Sequence, residues 1–331
     1  FCAAGWLPVS AQTHAAPVGR GKEAPPPEPP GTTADPAKLF AQGEQLSYAI
    51  YWGPFEVGHA DWYVWPARNA KGENILRSVL NVRTNASTDL FYRIRANSSS
   101  WATSALDRSL QYSAQQDDLY RSRHAQLTFD SKNNLVNEKM TVTAAPGAPP
   151  MRQRPPPPPN GAVASSNTTA RGPRDNRGNP AFAPVPPSPW PVSGAAFDPL
   201  AALLYYRTLP LQVNLAQHAC VCDTRGVHDV TVRVLGLEKI SQPGGLVYAW
   251  VVEPDLPGSG LFMRGANSPI RFWIAADGSR RPLRFSGSIG IGSFHAELVS
   301  SAPYAPPAPE GKKPVESGPP VAVTNVSSTP Q

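Results

Sequence analysis

The sequence predicts a mainly β fold, a large curved antiparallel sheet or half-barrel of about ten strands with one or two covering helices. Three observations carry this expectation. Apolar and polar residues alternate along many short stretches, as strands with one buried face require. Turn residues rather than crossover helices separate most of these stretches, which favours antiparallel pairing. One segment instead carries helix-start signals, with Asp198 as N-cap and Pro199 at the first helical position ahead of Leu200, Leu203 and Leu204 on a shared face.

Taken in order, residues 45–52 place Leu46, Tyr48, Ile50 and Trp52 on one face of a strand. Gly53-Pro54 marks a turn, and 55–65 alternates again, so the pair reads as a hairpin. Further strands are expected at 75–82, 109–115, 122–130 and 134–143, then at 227–236, 246–253, 270–275, 283–289 and 293–299. The helix that starts at Asp198 ends before Pro210. A shorter helix is expected from Thr88 to Arg95, with Leu90, Phe91 and Ile94 inward and Arg93 and Arg95 outward.

Proline divides the chain. Thirty of its 40 prolines fall in residues 17–36, 146–191 and 303–330, and such stretches bury too little apolar area to offset their ordering entropy. The expected organisation is a remnant of a signal peptide over 1–11, a proline-rich disordered linker over 12–37, a single β domain over 38–300 interrupted by a disordered Pro/Arg-rich insert over 143–196, and a disordered tail over 301–331. The insert, with a polyproline rod at Pro155 to Pro159, is read as a linker or loop; a sharper reading has its Arg and Pro residues contact an anionic envelope polymer or another protein.

Charge follows the same division. Of the net charge of +6, the insert supplies +4, from Arg152, Arg154, Arg171, Arg174 and Arg177 against Asp175, while the folded stretches 38–142 and 197–300 sum to +3. The basic character thus belongs mainly to a loop, and no nucleic-acid partner is expected, since that needs cations clustered on a folded face with stacking aromatics.

The chain opens Phe1-Cys2-Ala3-Ala4-Gly5-Trp6-Leu7-Pro8 before Val9-Ser10-Ala11, the pattern of an apolar signal region followed by a small-x-small cleavage site. Cys2 lacks the preceding small residue of a lipoprotein box, so cleavage near Ala11 is expected over lipid attachment. No other stretch approaches the length of a transmembrane helix. The expected location is periplasmic or otherwise exported.

Beyond Cys2 the cysteines are Cys220 and Cys222, in His218-Ala219-Cys220-Val221-Cys222. On a strand, His218, Cys220 and Cys222 point to one face. Three readings stay open: inert thiols, a disulfide or redox pair, and a soft-metal site that would need a fourth ligand, with His228 near in sequence. No cofactor is expected.

Enzyme motifs are absent: no Gly-x-Ser-x-Gly, no His-Glu-x-x-His and no phosphate-binding glycine loop. Asp117-Asp118 lies in a turn, and Gly287 to Gly292 fits a β bend. His59 with Asp61, and His295 with Glu297, each share a strand face, which permits a composite acid–base site but reads first as ordinary strand polarity.

Aromatic side chains fall where faces would be inward, and core packing is their first reading. A curved sheet covered by only one or two helices also leaves a concave apolar groove. Tyr48, Trp52, Trp62, Tyr205, Tyr206 and Trp273 are its candidate lining.

Glu44 to Tyr48, Trp52-Gly53, Val57-Gly58-His59-Ala60, Asp198 to Arg207, and Phe272 to Arg284 with its Ala276-Asp277-Gly278-Ser279-Arg280-Arg281-Pro282 core resemble, in order, the signature segments of the bacterial domain of unknown function 3108 family. The resemblance spans nearly all of the folded part. It implies an exported β-rich protein of the Gram-negative bacterial envelope with no settled activity, and it transfers no catalytic residue. The long Pro/Arg insert before Asp198 departs from the family pattern. The functional expectation is non-enzymatic binding of an apolar ligand, lipid or envelope polysaccharide in the concave groove. The alternatives are a hydrolase of an envelope polymer, or a structural protein that binds through its proline-rich segments.

Overall fold

In the computed structural model, the described residues are 24–118, 121–144, 188–255, 269–289 and 292–306. A one-turn helix, α1 (Pro36–Leu39), is capped by Asp35 and leads into β1 (Glu44–Trp52), β2 (Phe55–Arg68) and β3 (Asn74–Thr84). Another single turn, α2 (Ala86–Asp89), precedes β4 (Arg95–Thr103), β5 (Ser109–Asp117), β6 (Arg121–Asp130) and β7 (Leu135–Ala144). Two short strands, β8 (Trp190–Pro191) and β9 (Ala196–Phe197), lead to α3 (Pro199–Tyr206). The chain continues through β10 (Ala216–Asp223), β11 (Gly226–Gln242), β12 (Gly245–Pro254), β13 (Arg271–Ala275), β14 (Pro282–Ile289) and β15 (Gly292–Ala302).

All fifteen strands belong to one curved sheet, in the order β8-β7-β6-β5-β4-β3-β2-β1-β15-β14-β13-β12-β11-β10-β9. Every pairing is antiparallel except β9 with β10. The first and last parts of the chain meet where β1 pairs β15, from Gln45 opposite Ala302 to Trp52 opposite Phe294. Register shifts at Ser47/Tyr48, Ile50/Tyr51, Trp101/Ala102, Val234/Gly236 and Trp273/Ile274 are the bulges that bend such a sheet. The two end strands are consecutive in sequence: Trp190 pairs Val136 on one side, and Ala196 pairs Cys220 on the other. Only residues 192–195 separate β8 from β9, so the sheet's ends approach within about 18 Å, the reach of that connection.

α3 fills the space the curved sheet encloses. Leu200, Ala201, Ala202, Leu204 and Tyr206 are all buried, so the helix is covered nearly all round. The main core gathers Leu46, Tyr48, Trp62 and Val64 with Ala201, Leu204 and Tyr206 of α3, and with Val230, Val232, Trp250 and Phe272 from the later strands. A second cluster joins Tyr112, Leu127, Val136 and Trp190 to Leu200 and Cys222. No helix among the described residues is long and apolar enough to cross a membrane.

The mainly β, curved antiparallel expectation holds, with fifteen strands instead of about ten. The expected helix over Thr88–Arg95 is a correction. The helical turn is Ala86–Asp89, capped by Asn85, and Leu90 and Phe91 face solvent. Its apolar spacing imitated an inward face, but those side chains have no element to pack against. Part of the expected linker is also ordered. Glu28, Gly31 and Ala34 donate backbone hydrogen bonds to the carbonyls of Ala276, Leu211 and Thr208, at 2.7, 3.0 and 3.1 Å. An extended proline-rich chain keeps the N–H groups of its other residues free for such bonds. The insert's ends are ordered as β7, β8 and β9, and Tyr304 beyond β15 packs on Tyr63 and Trp65. The signal-peptide remnant, insert residues 145–187 and tail residues 307–331 lie outside the described residues.

Candidate functional site

α3 is pinned at both ends by buried polar groups. At its start, Asp198 accepts hydrogen bonds from the Leu200 and Ala201 amides at 2.9 and 3.1 Å, the N-cap geometry. Its other carboxylate oxygen accepts from Ser100 Oγ of β4 at 2.7 Å and Ser109 Oγ of β5 at 2.6 Å. Complete burial pushes the Asp198 carboxyl up to about 6, against the opposing pull of these four donors. At the helix end, Arg207 forks onto both oxygens of Glu44 and donates Nε–H to the Arg280 carbonyl at 2.7 Å.

This pinning leaves Tyr205 half-buried on one side of α3, where its ring stacks on Phe197 at 4.8 Å and 16°. Beside them opens a cleft of about 740 Å³. One wall is the β4–β5 turn, Ala105 to Asp107, where Leu106 takes a left-handed backbone (φ 51°) and drops its side chain into the core. Thr103 and Asp107 brace that turn through their side chains. A second wall is the β8–β9 segment, with Val192, Ser193 and Ala195. The floor is β10 and β11, with His218, Ala219 and Cys220 from the first and Val227 and Asp229 from the second, Cys220 lying opposite Asp229. His218 Nδ1 lies 3.7 Å from Asp229 Oδ1 and 3.3 Å from Thr231 Oγ1, and the His218 and Asp229 side chains are open to solvent.

The alternation of β10 sends Ala219 and Val221 into the main core and Cys220 and Cys222 toward the second cluster. Both thiols are free. The S–H of Cys222 is donated to Cys220, which holds the Cys220 thiol below its ordinary range, with His228 helping. The same bond, reinforced by burial, pushes Cys222 up. His228 is engaged elsewhere, with Nε2 2.9 Å from Asp223 Oδ1. Among the described residues no three His, Cys, Asp or Glu side chains converge as a metal site would require, so His218 does not complete one with the thiols.

Of the six expected groove residues, the cleft takes only Tyr205. Tyr48, Trp62, Tyr206 and Trp273 are core residues. Tyr48 donates its hydroxyl to the Pro282 carbonyl at 2.8 Å, Trp62 its indole N–H to Ser78 Oγ at 2.6 Å, and Trp273 its indole N–H to Glu238 at 2.8 Å. Trp52 stands exposed at the end of β1. The groove expected in the sheet's concavity is instead occupied by α3 and these rings.

The composite acid–base pairs are also dispersed. His59 lies 3.4 Å from Glu56, Asp61 accepts from Ser47 Oγ at 2.7 Å, His295 stacks on Tyr51, and Glu297 pairs with Arg284 at 2.8 Å. Asp117 is the last residue of β5, not a turn residue, and Asp118 follows it, Asp117 accepting from Ser122 and Asp118 from the Arg121 amide. The cleft residues that sequence reasoning missed, Asp107, Val192, Ser193 and Asp229, belong to a turn, a proline-rich run and an exposed strand position, none with a pattern that marks a site.

A family model described as a protein of unknown function, DUF3108, matches residues 47–299. No curated protein matches the chain in sequence. Among solved structures, the chain is similar to a β-barrel-like protein of domain of unknown function DUF1849 from Brucella abortus, at 8% identity and TM-score 0.44, over 80% of this chain and 98% of that one. It is also similar to MucB in complex with periplasmic MucA, at 10% identity and TM-score 0.12, over 82% of this chain and 100% of that one.

Proposed function

The chain belongs to the DUF3108 family of proteins of unknown function, and from that premise we propose that it is an exported, non-enzymatic envelope protein that binds a glycan in the cleft beside α3. The observation that carries this reading is the composition of the cleft. An aromatic pair, Tyr205 on Phe197, is ringed by Asp107, Ser193, His218 and Asp229 in an open depression of about 740 Å³. Sugars present apolar faces and hydroxyl edges together, and an open site with one aromatic platform and several hydrogen-bonding side chains matches both. An acyl chain needs an enclosed apolar channel, and the concavity that would supply one is filled by α3 and the core.

Titration calorimetry with N-acetylglucosamine oligomers tests the binding. Saturable heat is expected, weakened roughly tenfold or more by Tyr205→Ala, the loss of one aromatic contact. Absence of binding to any oligosaccharide, with fatty acid or detergent monomers bound instead, rejects the glycan reading. Fractionation of the native host with detection of the full chain tests export separately; recovery from the cytoplasm rejects that part.

A further inference from the structure

One end of the sheet carries an apolar rim that the cleft does not involve. Gly58 pairs with Thr84, so the β1–β2 turn and the β3–β4 loop both project beyond that level, from strands adjacent in the sheet. Two strand spacings, about 10 Å, separate them. Asn85 ties them together, its amide donating to the Val57 carbonyl at 3.0 Å and its Nδ2 to the Glu56 carbonyl at 2.6 Å.

The projecting side chains are apolar. Leu90, Phe91 and Phe55 are 78%, 84% and 71% exposed, and Trp52 and Tyr92 stand exposed beside them. Their exposure does not come from a slack loop. Asn85 Oδ1 accepts from the Thr88 amide at 2.9 Å, and the Tyr92 amide donates to the Thr88 carbonyl at 2.8 Å. Arg95 clamps Asp89 with its guanidinium and reaches the Thr84 and Ile94 carbonyls at 3.2 and 2.7 Å. A braced backbone therefore holds hydrophobic tips in water. Two exposed cations, Arg83 near the end of β3 and Arg93 in the β3–β4 loop, belong to the same end of the sheet, as does the exposed Glu56 of β2.

We propose that this rim is a docking surface for an anionic lipid bilayer, with the tips seated in the headgroup layer and Arg83 and Arg93 against lipid phosphates. Tyr, Trp and Phe favour the bilayer interface, and neighbouring Arg residues add attraction to anionic headgroups. The surface is a row of separate projecting tips rather than a face or groove. A stable protein interface needs roughly 800 Å² per partner around a packed centre, whereas a fluid headgroup layer closes around isolated rings. The rim lies at the opposite end of β4 from the Ala105–Asp107 wall of the cleft, so a docked molecule keeps that wall off the membrane.

The test is cosedimentation of the full chain with vesicles of phosphatidylethanolamine alone and of phosphatidylethanolamine with phosphatidylglycerol. Binding is expected to the anionic vesicles, to fall with added salt, and to drop roughly tenfold or more in a Leu90→Ser/Phe91→Ser variant. Arg83→Gln/Arg93→Gln is expected to remove the preference for anionic vesicles while leaving glycan titration at the cleft unchanged. Thermal melts verify folding, and Phe55→Ser provides an independent reading if the double variant unfolds. No sedimentation with anionic vesicles, equal sedimentation of folded variants, or capture of a protein through these residues without vesicle binding overturns the proposal.

Discussion

Arg207 and Glu44 form a buried fork-to-fork ion pair that joins the last turn of α3 to the first residue of β1. Arg207 also lies over the Phe40 ring at 4.8 Å and donates to the Ser279 and Arg280 carbonyls. A single guanidinium thus links the helix to the first strand and to the β13–β14 turn. The three segments it joins lie far apart in sequence, so this one side chain fixes their positions against each other.

Removing one partner strands the other charge in the core. Arg207→Met is expected to destabilise the fold by roughly 3–5 kcal/mol, and Glu44→Gln, which keeps an acceptor, by less. Urea unfolding followed by tryptophan fluorescence measures both. Equal, small effects would mean that water reaches the pair.

Gly58 sets the spacing of β2 and β3 near one end of the sheet. A Cβ at this position would sit 2.4 Å from the Arg83 carbonyl oxygen and 3.1 Å from the Thr84 Cα, both backbone atoms of β3. The close approach of β2 to β3 therefore depends on the missing side chain. Gly58→Ala is expected to cost about 1–3 kcal/mol through displaced backbone, read as a lower urea midpoint. Gly53→Ala is a weaker comparison despite its positive φ, because nothing lies within 4 Å of the added atom.

Most of the sheet was legible because its strands bury one face against apolar neighbours. β4 was not, and the reason is chemical. Its inward Ser100 meets Asp198, and Ser98 meets the Tyr112 hydroxyl, so polar residues occupy positions where the alternation test looks for apolar ones. β8 and β9 were hidden for a different reason. Two residues each, they sit in a proline-rich run whose composition outweighs Trp190 and Phe197. Since these short strands also wall the cleft, the site was illegible together with them. Strand alternation did place Cys220 and Cys222 on one face, but it could not show that His218 stays in solvent while Cys222 enters a core cluster.

The thiol pair should divide sharply in reactivity. Cys220 borders the cleft and has its thiolate favoured by the donated S–H, whereas Cys222 is buried and disfavoured as a thiolate. Iodoacetamide on the reduced protein is expected to label Cys220 at least roughly tenfold faster than Cys222, measured by peptide mass spectrometry. Cys222→Ala removes the donor and is expected to slow the labelling of Cys220. Matched rates at the two sites would show that β10 opens before either thiol reacts.

Asp198 makes stability depend on pH in an unusual direction for an acid. Its folded value of about 6 lies above the unfolded value of about 3.9. The folded chain therefore binds this proton more tightly, and the resulting stabilisation is complete below the unfolded value and lost as pH rises through about 6. Over the whole span the difference amounts to roughly 3 kcal/mol. Other carboxylates such as Asp89, held below the usual range by Arg95, act in the opposite sense, so the effect must be isolated by comparison. Asparagine keeps the N-cap acceptor for Leu200 and Ala201 and offers donors to the Ser100 and Ser109 hydroxyls, without titrating. The stability of the wild type minus that of Asp198→Asn is therefore expected to fall by roughly 2 kcal/mol between about pH 4.5 and pH 7.5, measured by urea unfolding at each pH. A difference that stays level across that range would mean that the two serines and two amides keep Asp198 ionised throughout, and that burial is not the stronger influence on this carboxyl.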